Sequence, residues 1–189
     1  MPKQVFIIHG WGGNPEEGWF PWLKKELEKK RFHVEIPHMP DTDNPKIESW
    51  VSFLKKTIKN PDKDTYFVGH SIGCQTILRY LQGINAKIGG TVFVAGWITL
   101  KGLETDEEWA IAKPWIETPI DFGKVKKSMN KCAAIFSGND PFVPIDNSNV
   151  FKENLGAKII IEKQKGHFSG SDNVKELPSA LKELLDMMK

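Results

Sequence analysis

Six short runs of β-branched and aromatic residues punctuate the chain, at 5–8, 34–36, 66–68, 91–95, 133–137 and 158–162. Two of them, TVFVA and KIIIE, are continuously apolar, the pattern of strands covered on both faces in a parallel sheet. Stripes at helical spacing lie between them. Trp19, Leu23 and Leu27 form one, with Pro21 acceptable in a first turn, and Ile47, Trp50, Val51, Leu54 and Ile58 form another. Ile77, Leu78 and Leu81 precede a stop at Gly83, Val150, Phe151 and Leu155 lie between a candidate cap at Asp146 and Gly156, and Leu177 to Met188 carries a last stripe. The rhythm is strand, helix, strand throughout. With right-handed crossovers it predicts an α/β fold, an open doubly wound parallel sheet with functional loops at the carboxyl ends of its strands.

One interval breaks the rhythm. Residues 97–131 exceed a plain crossover and carry Trp97, Trp109, Trp115, Pro114 and Pro119, which predicts a helix and an irregular excursion forming a small cap. At 189 residues the chain is expected to form a single domain, 1–189. Only Arg31 and Arg79 among 26 basic residues are arginine and the formal net charge is +2, so a nucleic-acid surface is not expected. The apolar run at 5–8 is too short for a signal peptide or membrane span, and a cytoplasmic location is expected, as a monomer or weak dimer. Cys74 and Cys132 have no partners at ligand spacing; they read as small buried residues, with neither a metal nor a cofactor implied.

The chemistry centres on GHSIG, residues 69–73, which follows a predicted strand and precedes a helical stripe. In that setting G-x-S-x-G places a serine on a sharp turn as nucleophile, with glycines where strand and helix crowd together. Ser71 is the candidate nucleophile, and the Ile72 N–H opening the helix would face an oxyanion. The first strand ends in HGWGG, whose Trp11 N–H supplies a second donor, with His9 orienting the loop; GWGG matches neither phosphate-loop pattern. Serine needs a base, and His167 alone among five histidines follows the last predicted strand. His33 and His38 are read as surface residues, and His70 as pointing away from the exposed side of the turn. Asp140, after the fifth strand, is the candidate acid, preferred to Asp146 and Asp172. The chain order Ser71, Asp140, His167 is that of the α/β-hydrolases. Trp97, Trp109 and Trp115, with Trp19, are candidates to wall an apolar acyl pocket.

Through GWFPWLKKELEKKRF, PHMPDTDNPKIESWV, VGHSIGC, SGNDPFVP and KGHF, the chain resembles the small serine hydrolases related to retinoblastoma-binding protein nine. The resemblance implies a compact α/β-hydrolase fold with six parallel strands in the order 2-1-3-4-5-6, a triad at Ser71, Asp140 and His167, and hydrolysis of carboxylic esters. The His9–Gly10 pair departs from the human namesake and places the chain nearer microbial esterase-like members, so retinoblastoma-protein binding is not implied. A small cap suggests short to medium acyl groups. The competing expectation is an idle site on a protein-interaction module, with the aromatics of the excursion as a docking patch.

Overall fold

The computed structural model describes residues 3–189. Six strands, β1 (Gln4–Ile8), β2 (His33–Glu35), β3 (Thr65–His70), β4 (Ile88–Val94), β5 (Met129–Ser137) and β6 (Lys158–Glu162), form one sheet. Every neighbouring pair is parallel, in the order β2-β1-β3-β4-β5-β6. The connections carry α1 (Phe20–Glu28), α2 (Ile47–Thr57), α3 (Ile72–Leu81), α4 (Asp106–Glu117), α5 (Phe122–Lys127) and α6 (Asn147–Leu155), and α7 (Pro178–Met187) follows β6. Helices α1 and α7 pack together, while α2, α3, α5 and α6 contact one another in succession. None of these helices is long and apolar enough to cross a membrane.

Burial explains why the central strands read as unbroken apolar runs. Val5, Ile7 and Ile8 of β1, Phe67 and Val68 of β3, Val92–Val94 of β4 and Ala133–Ile135 of β5 are all fully covered. The expectation for KIIIE is corrected here: β6 is the edge of the sheet, Ile159 and Ile160 are half-buried, and Ile161 is 57% exposed. An apolar run alone does not distinguish an edge from a centre. Strand β4 begins earlier than its branched residues suggest, because Gly89 and Gly90 belong to it. The Tyr66 ring lies where a Gly89 Cβ would be, so the glycine pair that reads as a breaker makes room for a cross-strand aromatic. Asp146 occupies the N-cap position of α6 without a side-chain capping bond. The adjacent Asn147 instead accepts from the Ile98 and Thr99 amides and donates to the Thr99 and Pro144 carbonyls. Cys74 is buried, whereas Cys132 is only half-buried.

The first turn of α3 packs tightly against the end of β1. A Cβ on Gly73 would lie 2.4 Å from the Ile8 carbonyl oxygen and 2.7 Å from that of His9. Both contacts are backbone, so neither can yield by a rotamer change. Two histidines are buried near this point. His9 is held below its ordinary pKa, chiefly by burial. His70 is pushed down to about 3 from 6.5, by burial first and the neighbouring His167 second.

Two outcomes follow from this packing. Gly73→Ala should lower stability by about 3 kcal/mol or more, the upper range for overpacking, read as a fall in urea midpoint at unchanged m-value. The His70 ring is neutral when folded but protonates near pH 6.5 when unfolded, so its contribution to stability is complete above that pH and is lost as pH falls towards about 3. Urea titrations from about pH 7.5 to about pH 5 should show a steeper loss for the native chain than for His70→Gln, approaching about 1.4 kcal/mol per pH unit of difference. Parallel pH profiles would contradict the assignment.

Candidate active site

Ser71 connects β3 to α3 with φ 52° and ψ −121°, a region that non-glycine residues avoid. Its amide is held by the Val94 carbonyl at 2.9 Å and its carbonyl by the Cys74 amide at 2.9 Å, so the turn is fixed on both sides. The residues two positions away on either side are glycines for packing: a Cβ on Gly69 would meet Ile77 Cδ1 at 2.7 Å and the Cys74 backbone at 3.0 Å, and Gly73 faces β1 as described. The local fold thus lifts one hydroxyl out of the end of the sheet.

The glycine-rich loop after β1 lies beside this turn. A Cβ on Gly10 would be 3.5 Å from Ser71 Cβ. The loop is anchored by Gly12 N–H to the Thr42 carbonyl at 2.8 Å and by Trp11 Nε1–H to the Asp43 carbonyl at 2.9 Å. His9 Nε2 accepts the Met39 amide at 3.0 Å, so its hydrogen is on Nδ1, which donates to the Gly10 carbonyl at 2.9 Å. Both ring nitrogens are therefore spent on holding the loop. The Trp11 and Ile72 amides have no acceptor among the described residues, which leaves two N–H donors beside the serine turn.

Asp140 and His167 meet at 2.9 Å, Oδ2 to Nδ1. The carboxylate is almost fully buried, and its other oxygen accepts the Phe142 and Val143 amides, each at 2.9 Å. With a carboxylate as acceptor, Nδ1 must carry the imidazole hydrogen, leaving Nε2 with a free lone pair. Asp172 has a different task. Its Oδ2 accepts the His167 amide at 2.9 Å, the Ser169 amide at 3.0 Å and the Ser169 hydroxyl at 2.6 Å. Gly166 has φ 54°, and Asp172 Oδ1 lies only 2.0 Å from where its Cβ would stand, so the glycine before the histidine is a steric requirement. Asn139 Oδ1 accepts the Gly166 amide at 3.0 Å and joins the loops of Asp140 and His167.

Ser71, Ile72, His167, Gly10 and Trp11 line one cleft of about 350 Å³. Its apolar walls are Trp97, Leu100, Leu103 and Phe142, with Glu17 and Glu108 also bordering it. Of the tryptophans expected to wall a pocket, only Trp97 does so. Trp115 of α4 is buried against α2, donates to the Pro45 carbonyl at 3.0 Å and meets Trp50 edge-on. Trp109 is 38% exposed and donates to the Leu103 carbonyl, and Trp19 is a core residue bonded to the Phe168 carbonyl. His33 and His38 are exposed, but the expectation for His70 is corrected. It lines the cleft while its Nε2 meets the His167 carbonyl at 2.7 Å. The wall residues Leu100, Leu103 and Phe142 carry no motif. Glu108 did have a signal: Thr105-x-x-Glu108 forms a capping box, whose backbone donors hold the Glu108 carboxyl below its usual pKa. Among the described residues there is no group of three or more His, Cys, Asp or Glu placed to hold a metal.

A family model described as serine hydrolase matches residues 5–186. The chain is 32% identical over 181 residues to YdeN of Bacillus subtilis (strain 168), covering 94% of this chain and 92% of that one. The crystal structure of the B. subtilis ydeN gene product superposes with a TM-score of 0.88 at 29% identity, covering 98% of each chain. The serine hydrolase RBBP9 of Rattus norvegicus is 25% identical over 187 residues, 97% of this chain and 96% of that one. A monoacylglycerol lipase from Paleococcus ferrophilus shares the fold, with a TM-score of 0.72 at 14% identity over 99% and 96% of the two chains. On the match that runs through nearly all of its length, the chain belongs to the serine hydrolase family.

Proposed function

We propose that the protein is a carboxylesterase acting on short to medium acyl esters through an acyl-enzyme. The observation that carries this reading is the 2.9 Å contact of Asp140 with His167 at the cleft into which the strained Ser71 turn opens. Ser71 Oγ attacks the ester carbonyl carbon as His167 Nε2 takes its proton, and Asp140 stabilises the imidazolium that results. The carbonyl oxygen becomes an oxyanion facing the Trp11 and Ile72 amides. Collapse breaks the bond to the alkoxy oxygen, which leaves as the alcohol with the proton from His167. Water then attacks the acyl-serine with His167 as base, releasing the carboxylic acid and restoring the hydroxyl.

The cleft volume lies at the small end of ligand pockets, and Trp97, Leu100, Leu103 and Phe142 give it an apolar wall. Those features support short to medium acyl chains, with residues 97–131 acting as a small cap on a single domain. Monoacylglycerol lipase activity in the Paleococcus protein of the same fold is consistent with ester chemistry here.

A fluorophosphonate probe should label the native chain at Ser71 and leave Ser71→Ala unlabelled. Asp140→Asn should lower ester turnover by about a thousandfold or more without unfolding the chain. Near-native turnover in either variant would overturn the triad. Across p-nitrophenyl esters of graded length, kcat/KM should peak at about four to eight acyl carbons, and Trp97→Ala should move the peak to longer chains. An unchanged optimum in that variant would remove Trp97 from the acyl wall.

A further inference from the structure

Building on the Ser71–Asp140–His167 reading, the geometry points to His70 and Trp19 as a two-donor clamp that positions the base loop against the nucleophile turn. The segment carrying His167 lies beyond β6 and has no ladder of its own. Two consecutive carbonyls of it are captured by ring N–H groups from other parts of the chain. His70 Nε2–H donates to the His167 carbonyl at 2.7 Å, and Trp19 Nε1–H donates to the Phe168 carbonyl at 3.0 Å. The two donor rings meet edge to face, with centroids 6.2 Å apart and planes at 87°, and Phe20 packs on both. Each donor therefore holds the other in place.

His70 precedes Ser71 in the chain, so its backbone moves with the turn, while its side chain reaches the loop after β1 and the loop of His167. Its ring stands over Gly10, where a Cβ would be 3.0 Å from Nδ1, and its centroid is 5.0 Å from that of His167. A carbonyl can only accept, so Nε2 carries the hydrogen of a neutral ring. Burial keeps that ring neutral through the working pH range, and it opposes no imidazolium forming on His167. Phe168 has φ 56°, an unfavourable value for an aromatic residue, and the clamp sits on the carbonyls either side of its Cα, that of His167 before it and its own after it. His70 and Trp19 are positioning residues: they touch no reacting atom in the proposed mechanism, and they set where Nε2 of His167 stands. A displacement of about 1 Å in such a group costs on the order of a hundredfold in rate.

The test compares His70→Leu, which removes the donor at similar volume, His70→Gln, which restores an N–H at similar reach, and Trp19→Phe, which keeps a ring without the donor. Circular dichroism and thermal melting report folding; steady-state p-nitrophenyl ester kinetics and phosphonate labelling rates report the site. His70→Leu is expected to lose roughly tenfold to a hundredfold in kcat with KM changed by no more than about twofold, and labelling should slow in parallel. His70→Gln should recover most of that loss, and Trp19→Phe should lose roughly tenfold in kcat. A native kcat in His70→Leu, a loss that Gln leaves unrepaired, or a loss confined to KM would overturn the clamp. Should His70→Leu not fold, Trp19→Phe decides: native kcat and labelling rate overturn the clamp. Failure of the underlying reading is separately visible, since the native chain would then not label at Ser71 or Ser71→Ala would keep its turnover, and the clamp would fall with it.

Discussion

The approach of α3 to the carboxyl end of β1 constrains everything at the working end of this molecule. Only a glycine can stand at residue 73 against the Ile8 and His9 carbonyls, and that contact pulls the helix start over the strand end. The chain must then leave β3 and enter α3 within one residue, which forces Ser71 to positive φ. Such a conformation costs about 1–3 kcal/mol and persists because strand, helix and the Val94 carbonyl over-determine it. The same contact brings the Ile72 amide beside the loop after β1. One steric fact thus places the Ser71 side chain at the cleft and the Ile72 amide beside the Trp11 amide of the neighbouring loop.

His167, the base of the proposed mechanism, is held by different means. Its loop has no sheet or helix to satisfy its peptide groups, yet a partly buried backbone must be paired. Side chains do this: Ser137 accepts from Lys165 N–H, Asn139 from Gly166 N–H and Asp172 from His167 N–H, while His70 and Trp19 donate to the next carbonyls. These partners come from the ends of β3 and β5, from the entrance to α1 and from the loop itself. The ordering entropy of the loop is met on folding, not on binding, which suits a group that must be in place before substrate arrives.

This division also explains what could be read before the fold was known. Strand positions, helix stripes and the order Ser71, Asp140, His167 are one-dimensional signals, and glycines at 69, 73 and 166 mark steric needs that no other residue meets. The partial exposure of β6, the buried packing of Trp115 and the orientation of His70 depend on what lies across space. A tryptophan buried in a core and one walling a cleft look identical in a sequence, since both are apolar, large and covered. Trp19, Trp115 and Trp97 differ only in where their N–H groups and ring faces point. The capping box at Thr105 and Glu108 was readable and ties the start of α4; the cleft walls at Leu100, Leu103 and Phe142 had no pattern to read.

Asp140 and the apolar wall of the cleft form one mechanical unit. The turn after β5 that gives Phe142 and Val143 amides to Asp140 also gives the Phe142 carbonyl to Lys101 N–H at 2.9 Å. Gly102, at φ 65°, packs with its Cβ position 2.6 Å from the Pro141 carbonyl oxygen, and Asn147 fixes Ile98 and Thr99 from the same side. At the far end of α4, Arg79 donates to the Trp115 and Thr118 carbonyls, each at 2.8 Å, binding the helix to α3. Residues 97–103 are thereby stitched to the Asp140 turn, and α4 to α3. In the proposed reaction the chain segment that limits the acyl group is therefore anchored to the groups that act on it. A change in the wall that shifts the turn at 141–143 would reach Asp140 through two amide N–H hydrogen bonds, so in the proposed enzyme acyl preference and catalytic power are coupled at those positions.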